Sequence, residues 1–183
     1  QDHQPMNKVT IRDAGIDPSI DEFVDAFVGR SIYYIGDLYS RYDQLQLAVD
    51  IRDITTMRTL IRLVRMCTLT QGATSSVAHM VNAMNKVLRD CIHEITMPFL
   101  DDIPIKGSLE EEKDGSKDET RCRRFVVVHI KDCEKVLQTL EDAHLTLSGE
   151  KSAFQQPEVL VVGHLCGAYG RKPSPTKWML SKR

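Results

Sequence analysis

The sequence predicts an α+β fold, an antiparallel sheet backed by helices, on three observations. Residues 76–89 and 123–142 carry apolar side chains at helical spacing. Short runs rich in β-branched and aromatic residues, 31–39 and 159–162 among them, read as strands. Acids from separate runs, Asp37 in one and Asp101-Asp102 in another, converge only if those runs share a sheet.

Each element has its own signal. Residues 1–17 read as irregular, with Pro5, Gly15 and Pro18 as breakers. A helix follows, capped by Ser19 with Glu22 three residues on. Ile20, Phe23, Val24 and Phe27 form its apolar face, and Gly29 stops it. The strand 31–39 carries a single acid, Asp37. Residues 55–66 read as a hairpin with Arg58, Arg62 and Arg65 on polar positions. Those arginines are either a solvated face or a phosphate-contacting ribbon. Gln71-Gly72 opens the first long helix; glycine lets backbone approach a ligand, and a helix N-terminus favours anions. The stripe Val77, Met80, Val81, Met84, Val87 and Leu88 is core, and His79 and His93 are surface or satisfied core histidines. Residues 108–121 are too charged to bury and form a solvated loop. In the second long helix, Val126, Ile130, Cys133, Val136, Leu137 and Leu140 face inward. Residues 145–147 and 159–162 are further strands, and the basic tail 171–183 is a linker. Gly163, Gly167 and Gly170 lack the spacing of a dinucleotide site.

Composition sets bounds. At 183 residues, one domain with a sizeable core is expected. The 42% hydrophobic content contains no run of membrane-spanning length and no signal peptide. Five cysteines without CxxC spacing argue for a reduced compartment and against a disulfide scaffold or zinc knuckle. A net charge of −2 is unusual for a nucleic-acid binder, although part of the acid is local to residues 110–119. The first residue is Gln1, so a segment of a longer chain is expected.

The stretch 96–107 holds two adjacent aspartates in an otherwise apolar run. One reading is a polar turn between short strands, since aspartate is a common turn residue. The other is a divalent-metal site completed by Asp37, because charge in apolar surroundings must be paired or bind metal. Hard cations such as Mg²⁺ take oxygen ligands.

Phe99-Leu100-Asp101-Asp102 resembles the aromatic-x-Asp-Asp box of reverse transcriptases. Other pieces follow in matching order: Gln4-Pro5-Met6-Asn7, Val9-Thr10-Ile11-Arg12-Asp13-Ala14-Gly15, Asp37-Leu38-Tyr39-Ser40-Arg41-Tyr42-Asp43-Gln44 and Arg52-Asp53-Ile54-Thr55-Thr56. Then come Gln71-Gly72-Ala73-Thr74-Ser75-Ser76, Leu147-Ser148-Gly149-Glu150-Lys151-Ser152 and Val161-Val162-Gly163-His164. Together they look like the polymerase of gypsy-type LTR retrotransposons, fungal ones especially. The resemblance implies a polymerase palm with part of the fingers: fingers at 1–30 and 45–72, palm at 31–44 and 73–170, and 171–183 leading to a thumb. It implies RNA-directed DNA polymerase activity, with Asp37, Asp101 and Asp102 holding two Mg²⁺ ions, or Mn²⁺ in their place. Leu38, Tyr42, Gln71 and Gly72 would meet the dNTP, Tyr42 excluding a 2′-hydroxyl. Gly163 and His164 would hold the primer end. The partners implied are an RNA or DNA template-primer and, in cis, the thumb, RNase H and integrase of a Pol polyprotein. The setting is intracellular, a cytoplasmic virus-like particle or the nucleus.

The match departs at turn positions. Arg41 stands for the usual glycine, Thr59-Leu60-Ile61-Arg62 for a Thr-Pro-x-Gly turn, Thr70 for a proline, and Gly36 for a larger apolar residue. These departures fit an alternative: a decayed, non-catalytic fragment that at most binds nucleic acid.

Overall fold

A computed structural model describes residues 3–13, 19–113, 115–119 and 121–174. The central sheet has the order β4-β1-β5, with β1 at Tyr33–Asp37, β4 at Asp102–Lys106 and β5 at Ala153–Gln156, all antiparallel. Side chains alternate along a strand, so β1 serves two cores at once. Tyr34 and Leu38 face a cluster built with α3 (Ser76–Val87) and α4 (Arg124–Asp142), through Met80, Met84, Cys133, Val136 and Leu140. Tyr33 and Ile35 face the other way. They pack against Phe23 and Val24 of α2 (Ile20–Asp25) and Val159 and Val161 of a second sheet. That sheet is β6 (Glu158–Val161), β7 (His164–Gly167) and β8 (Gly170–Pro173), paired antiparallel in sequence order. Ile103 and Ile105 of β4 join the first core, which leaves Asp102 on the same face as Asp37.

The α+β architecture and most helices stand where the spacing predicts them. Ser19 caps α2, its hydroxyl accepting from the Glu22 amide at 3.2 Å. Phe23, Val24 and Phe27 are fully buried, while Ile20 is half exposed at the helix start. α2 is shorter than its apolar pattern: Phe27 lies in the following turn, and Gly29 leaves it with φ +73°.

Five expectations need correction. Residues 1–17 are not wholly irregular, because α1 spans Gln4–Val9 with Pro5 in its first turn, where a missing amide costs nothing; residues 14–18 lie outside the described set. Residues 145–147 are not a strand: Leu147 makes only an isolated bridge to Leu38. The third strand of the central sheet is instead β5, whose Ala-Phe-Gln-Gln sequence carries no β-branched signal. The tail does not begin as a linker, since Arg171–Pro173 complete β8; residues 175–183 are outside the described set. The inward stripe of α4 is Phe125, His129, Cys133, Val136 and Leu140, with Ile130 exposed. Val77 of α3 is likewise exposed.

The Arg-bearing hairpin exists in minimal form, β2 (Met57–Arg58) against β3 (Leu63–Val64). Its Thr59–Arg62 connection has no Pro or Gly. The Thr59 hydroxyl replaces them, accepting from the Arg62 amide at 3.1 Å and donating to the Arg62 carbonyl at 2.6 Å. Residues 108–121 form a solvent-facing loop among the described residues, with one turn at Glu110–Glu112 and bridges at Arg30–Leu109 and Lys117–Arg123.

Candidate metal centre

The three acids come together through one strand pair and one turn. Asp37 ends β1 and lies directly across from Asp102, the first residue of β4. Phe99 and Asp102 exchange backbone hydrogen bonds of 2.9 and 3.0 Å, closing a two-residue turn over Leu100 and Asp101. Leu100 adopts φ +57°, a left-handed conformation that brings the next side chain round to the Asp37 side. The Leu38 amide donates to the Asp101 carbonyl at 3.0 Å, tying the turn to β1. As a result, carboxylate oxygens of Asp37, Asp101 and Asp102 all lie within 4.8 Å of one another. Asp101 is buried; the other two are half-buried.

Three clustered carboxylates repel one another, and the protonation of Asp102 reflects it. Burial pushes its carboxyl from 3.8 up to about 6, reinforced by the charges of Asp101 and Asp37 and opposed by Arg41 and Lys151. Those two cations are the site's counter-ions. Arg41 is ion-paired with Asp101, and the Lys151 ammonium donates to Asp37 Oδ1 at 3.0 Å. The donor set is all oxygen and acceptor-only when ionised, which suits a hard divalent cation and not a thiolate-seeking one.

Beside the acids opens a cleft of about 460 Å³ lined by Asp37, Leu38, Ser40, Arg41, Tyr42, Asp43, Gln71 and Lys151. Tyr42 is half-buried against the first core, and Gln71 is exposed at the cleft wall. The Leu38 side chain is fully buried, so that residue presents only backbone to a ligand. Gly72 lies behind Gln71 and not on the cleft wall. Its φ of +93° needs glycine, and Asn7 fixes the turn by donating to the Gly72 carbonyl at 3.0 Å and accepting from the Thr74 amide at 2.9 Å. Gly163 and His164 also stand apart from this cleft, at the β6–β7 turn, where Val162 (φ +47°) and Gly163 (φ +75°) are both left-handed. Val162 packs in the same core as Phe99, so this turn and the acid hairpin share one support.

The turn departures have local explanations. A Cβ on Gly36 would come within 2.7 Å of the Tyr34 hydroxyl, because the Tyr34 ring covers that face of β1 and reaches Ser152 at 3.2 Å. Ser40 and Arg41 keep the left-handed backbone that glycine would favour, with φ +51° and +31°. Neither the two counter-ions nor Gln44 was assigned a role from sequence. Gln44 holds residues 39 and 146 together, donating to the Thr146 carbonyl at 3.0 Å and accepting from its amide at 2.6 Å. A separation of 102 residues gives pattern reading no signal for that contact.

Antiparallel sheet, flanking helices and a carboxylate hairpin together define an α+β polymerase fold. Residues 5–166 match the family described as reverse transcriptase (RNA-dependent DNA polymerase), and the chain belongs to that family. It is 28% identical over 177 residues to the retrovirus-related Pol polyprotein from transposon gypsy of Drosophila melanogaster, and 26% identical over 178 residues to that from transposon 297. Each alignment covers 96% of this chain but only 16% and 15% of those polyproteins. Among solved structures, the foamy viral protease-reverse transcriptase in complex with double-stranded DNA superimposes over the whole chain and 29% of its own, with a TM-score of 0.80 at 20% identity. The same enzyme with an RNA/DNA hybrid gives 0.77 at 19%, covering 22% of its own chain. At that identity the likeness speaks for the fold.

Proposed function

We propose that this chain is the palm and part of the fingers of a retrotransposon Pol polyprotein, serving RNA-directed DNA synthesis. One observation carries the reading: in a chain of this family, three aspartates from two strands and a turn place their carboxylate oxygens within 4.8 Å. Asp37, Asp101 and Asp102 are the residues that would hold two Mg²⁺ ions, Asp102 as a ligand or an electrostatic partner; Mn²⁺ has the same ligand preference. When bound, such ions activate a primer 3′-hydroxyl and stabilise charge on the departing pyrophosphate. The protein's part is placement. Tyr42 and Gln71 wall the cleft where a deoxynucleotide would sit, with the Leu38 backbone at its floor and Gly72 shaping the turn behind Gln71. The Gly163-His164 turn is read as the primer rest, coupled to the acids through Val162 and Phe99. Template-primer and dNTP are the partners, with thumb, RNase H and integrase expected in cis.

The test is primer extension on an RNA template with dNTPs and Mg²⁺, using the reading frame that contains this chain. Asp101→Asn is expected to reduce extension to background. Retained extension in that variant would remove the catalytic assignment. A folded wild type that binds template-primer but extends nothing would favour the decayed fragment.

A further inference from the structure

The cation on Asp101 has a consequence for how the centre fills. We propose that Arg41 is a built-in counter-cation that competes with divalent metal: it holds Asp101 in the metal-free protein and must leave that carboxylate before an ion is fully bound. This rests on the reading of Asp37, Asp101 and Asp102 as metal ligands.

Four features support it. Arg41 engages the buried member of the triad: the Asp101 side chain is 9% exposed, whereas that of Arg41 is 47% exposed. The carboxylate is therefore fixed by the hairpin, and the guanidinium is the partner that water can receive. The pairing is also divided, with Arg41 on Asp101 and Lys151 on Asp37; Asp102 has no ion pair among the described residues. Two positive charges already offset three negative ones, so an arriving divalent ion meets a centre that is largely neutralised. Arg41 reaches Asp101 through an Nη2–Oδ2 ion pair, and a guanidinium stays charged at every working pH, so the competing cation is always present. Finally, residue 41 keeps φ +31° after Ser40 at +51°. A non-glycine residue is strained there, and the ion pair is what the structure shows in return.

A unit charge left about 4 Å from a divalent ion is strongly repulsive even at high dielectric. Removing it is expected to tighten metal binding roughly tenfold or more. Mn²⁺ is the probe, its free concentration followed by electron paramagnetic resonance, with no nucleic acid or nucleotide present. Arg41→Gln keeps the side-chain bulk and removes the charge. Arg41→Gly also accepts the left-handed backbone, so it folds even where the glutamine variant is strained. Both are expected to bind Mn²⁺ at least roughly tenfold more tightly than wild type, and Arg41→Lys to stay within about threefold of it. Affinities of both neutral variants within twofold of wild type, or weaker, would overturn the competition. Asp101→Asn separates the two levels. If it weakens Mn²⁺ binding while the Arg41 variants do nothing, the metal centre stands and the competition falls. If Asp101→Asn leaves Mn²⁺ binding unchanged, the metal centre falls, and the competition with it.

Discussion

The acid-bearing end of the central sheet and the ribbon formed by β2 and β3 are built on opposite terms. β1 is paired on both sides and has a core on each face, so Asp37 ends a strand that cannot shift without disturbing both clusters. The ribbon has two-residue strands, and the side chains at its tip, Leu60 and Ile61, are almost wholly exposed. Groups that must sit within a few ångströms of one another are placed on doubly packed backbone. The ribbon's exposed arginines face no such demand, and its turn is held by a threonine hydroxyl.

The comparison breaks most easily in the core behind the acids. Leu140 of α4 is fully buried in the cluster that includes Tyr34, Leu38 and Ile103. Leu140→Ala removes its methyl groups and leaves a cavity, at a cost of about 2–5 kcal/mol. Denaturant melts should show that loss, and Mn²⁺ affinity should fall with it if packing places the acids. A destabilised variant with unchanged metal affinity would show that the acid hairpin is positioned independently of this core.

How much of this was legible in the sequence follows the same divide. Helices α3 and α4 and strand β1 announce themselves, because burial of one face imposes a period on the residues. The acids were legible because two charges stood in an apolar run. β5 was not, because an edge strand exposed on one face needs no apolar alternation; Phe154 is half exposed and Gln155 takes φ +53°. His129 was missed on the inward face of α4 because a polar residue breaks the pattern, although burial holds its pKa below the usual range. Arg41 and Lys151 could be quoted from motifs, but their pairing with Asp101 and Asp37 is tertiary.

A smaller effect concerns charge at the acid end. The Asp102 carboxyl is raised from 3.8 to about 6, so between those pH values the folded state binds more protons than the unfolded state. Metal-free stability should therefore fall as pH rises from about 4 to about 6. Asp102→Asn removes the penalty. It is expected to be more stable than wild type at pH 7 by about 1–2 kcal/mol, discounted because the side chain is half-buried, with the gain vanishing near pH 4. Urea melts in chelator at several pH values measure it. A variant equally destabilised at pH 4 and pH 7 would show that Asp102 is held chiefly by contacts and not opposed by its neighbours' charge.

The smallest effect on folding is expected at the ribbon, and it sharpens the contrast. Arg58 and Arg62 are exposed and have no ion pair among the described residues, whereas Arg65 is paired with Asp53. Replacing Arg62 with alanine keeps the backbone amide and carbonyl that Thr59 uses, so the turn survives. Stability should then change by less than about 0.5 kcal/mol, as for most exposed sites. Template-primer binding should respond differently. If the ribbon lies along phosphates, each arginine lost reduces the slope of log affinity against log salt by about 1, equally for unrelated sequences. Arg58→Ala and Arg62→Ala should each show this, and Arg65→Ala less, because Asp53 already neutralises its charge. Unchanged salt slopes in the first two variants would leave the arginines as a solvated face. A stability loss above about 1 kcal/mol would mean that the ribbon, like the acid end, is held by packing.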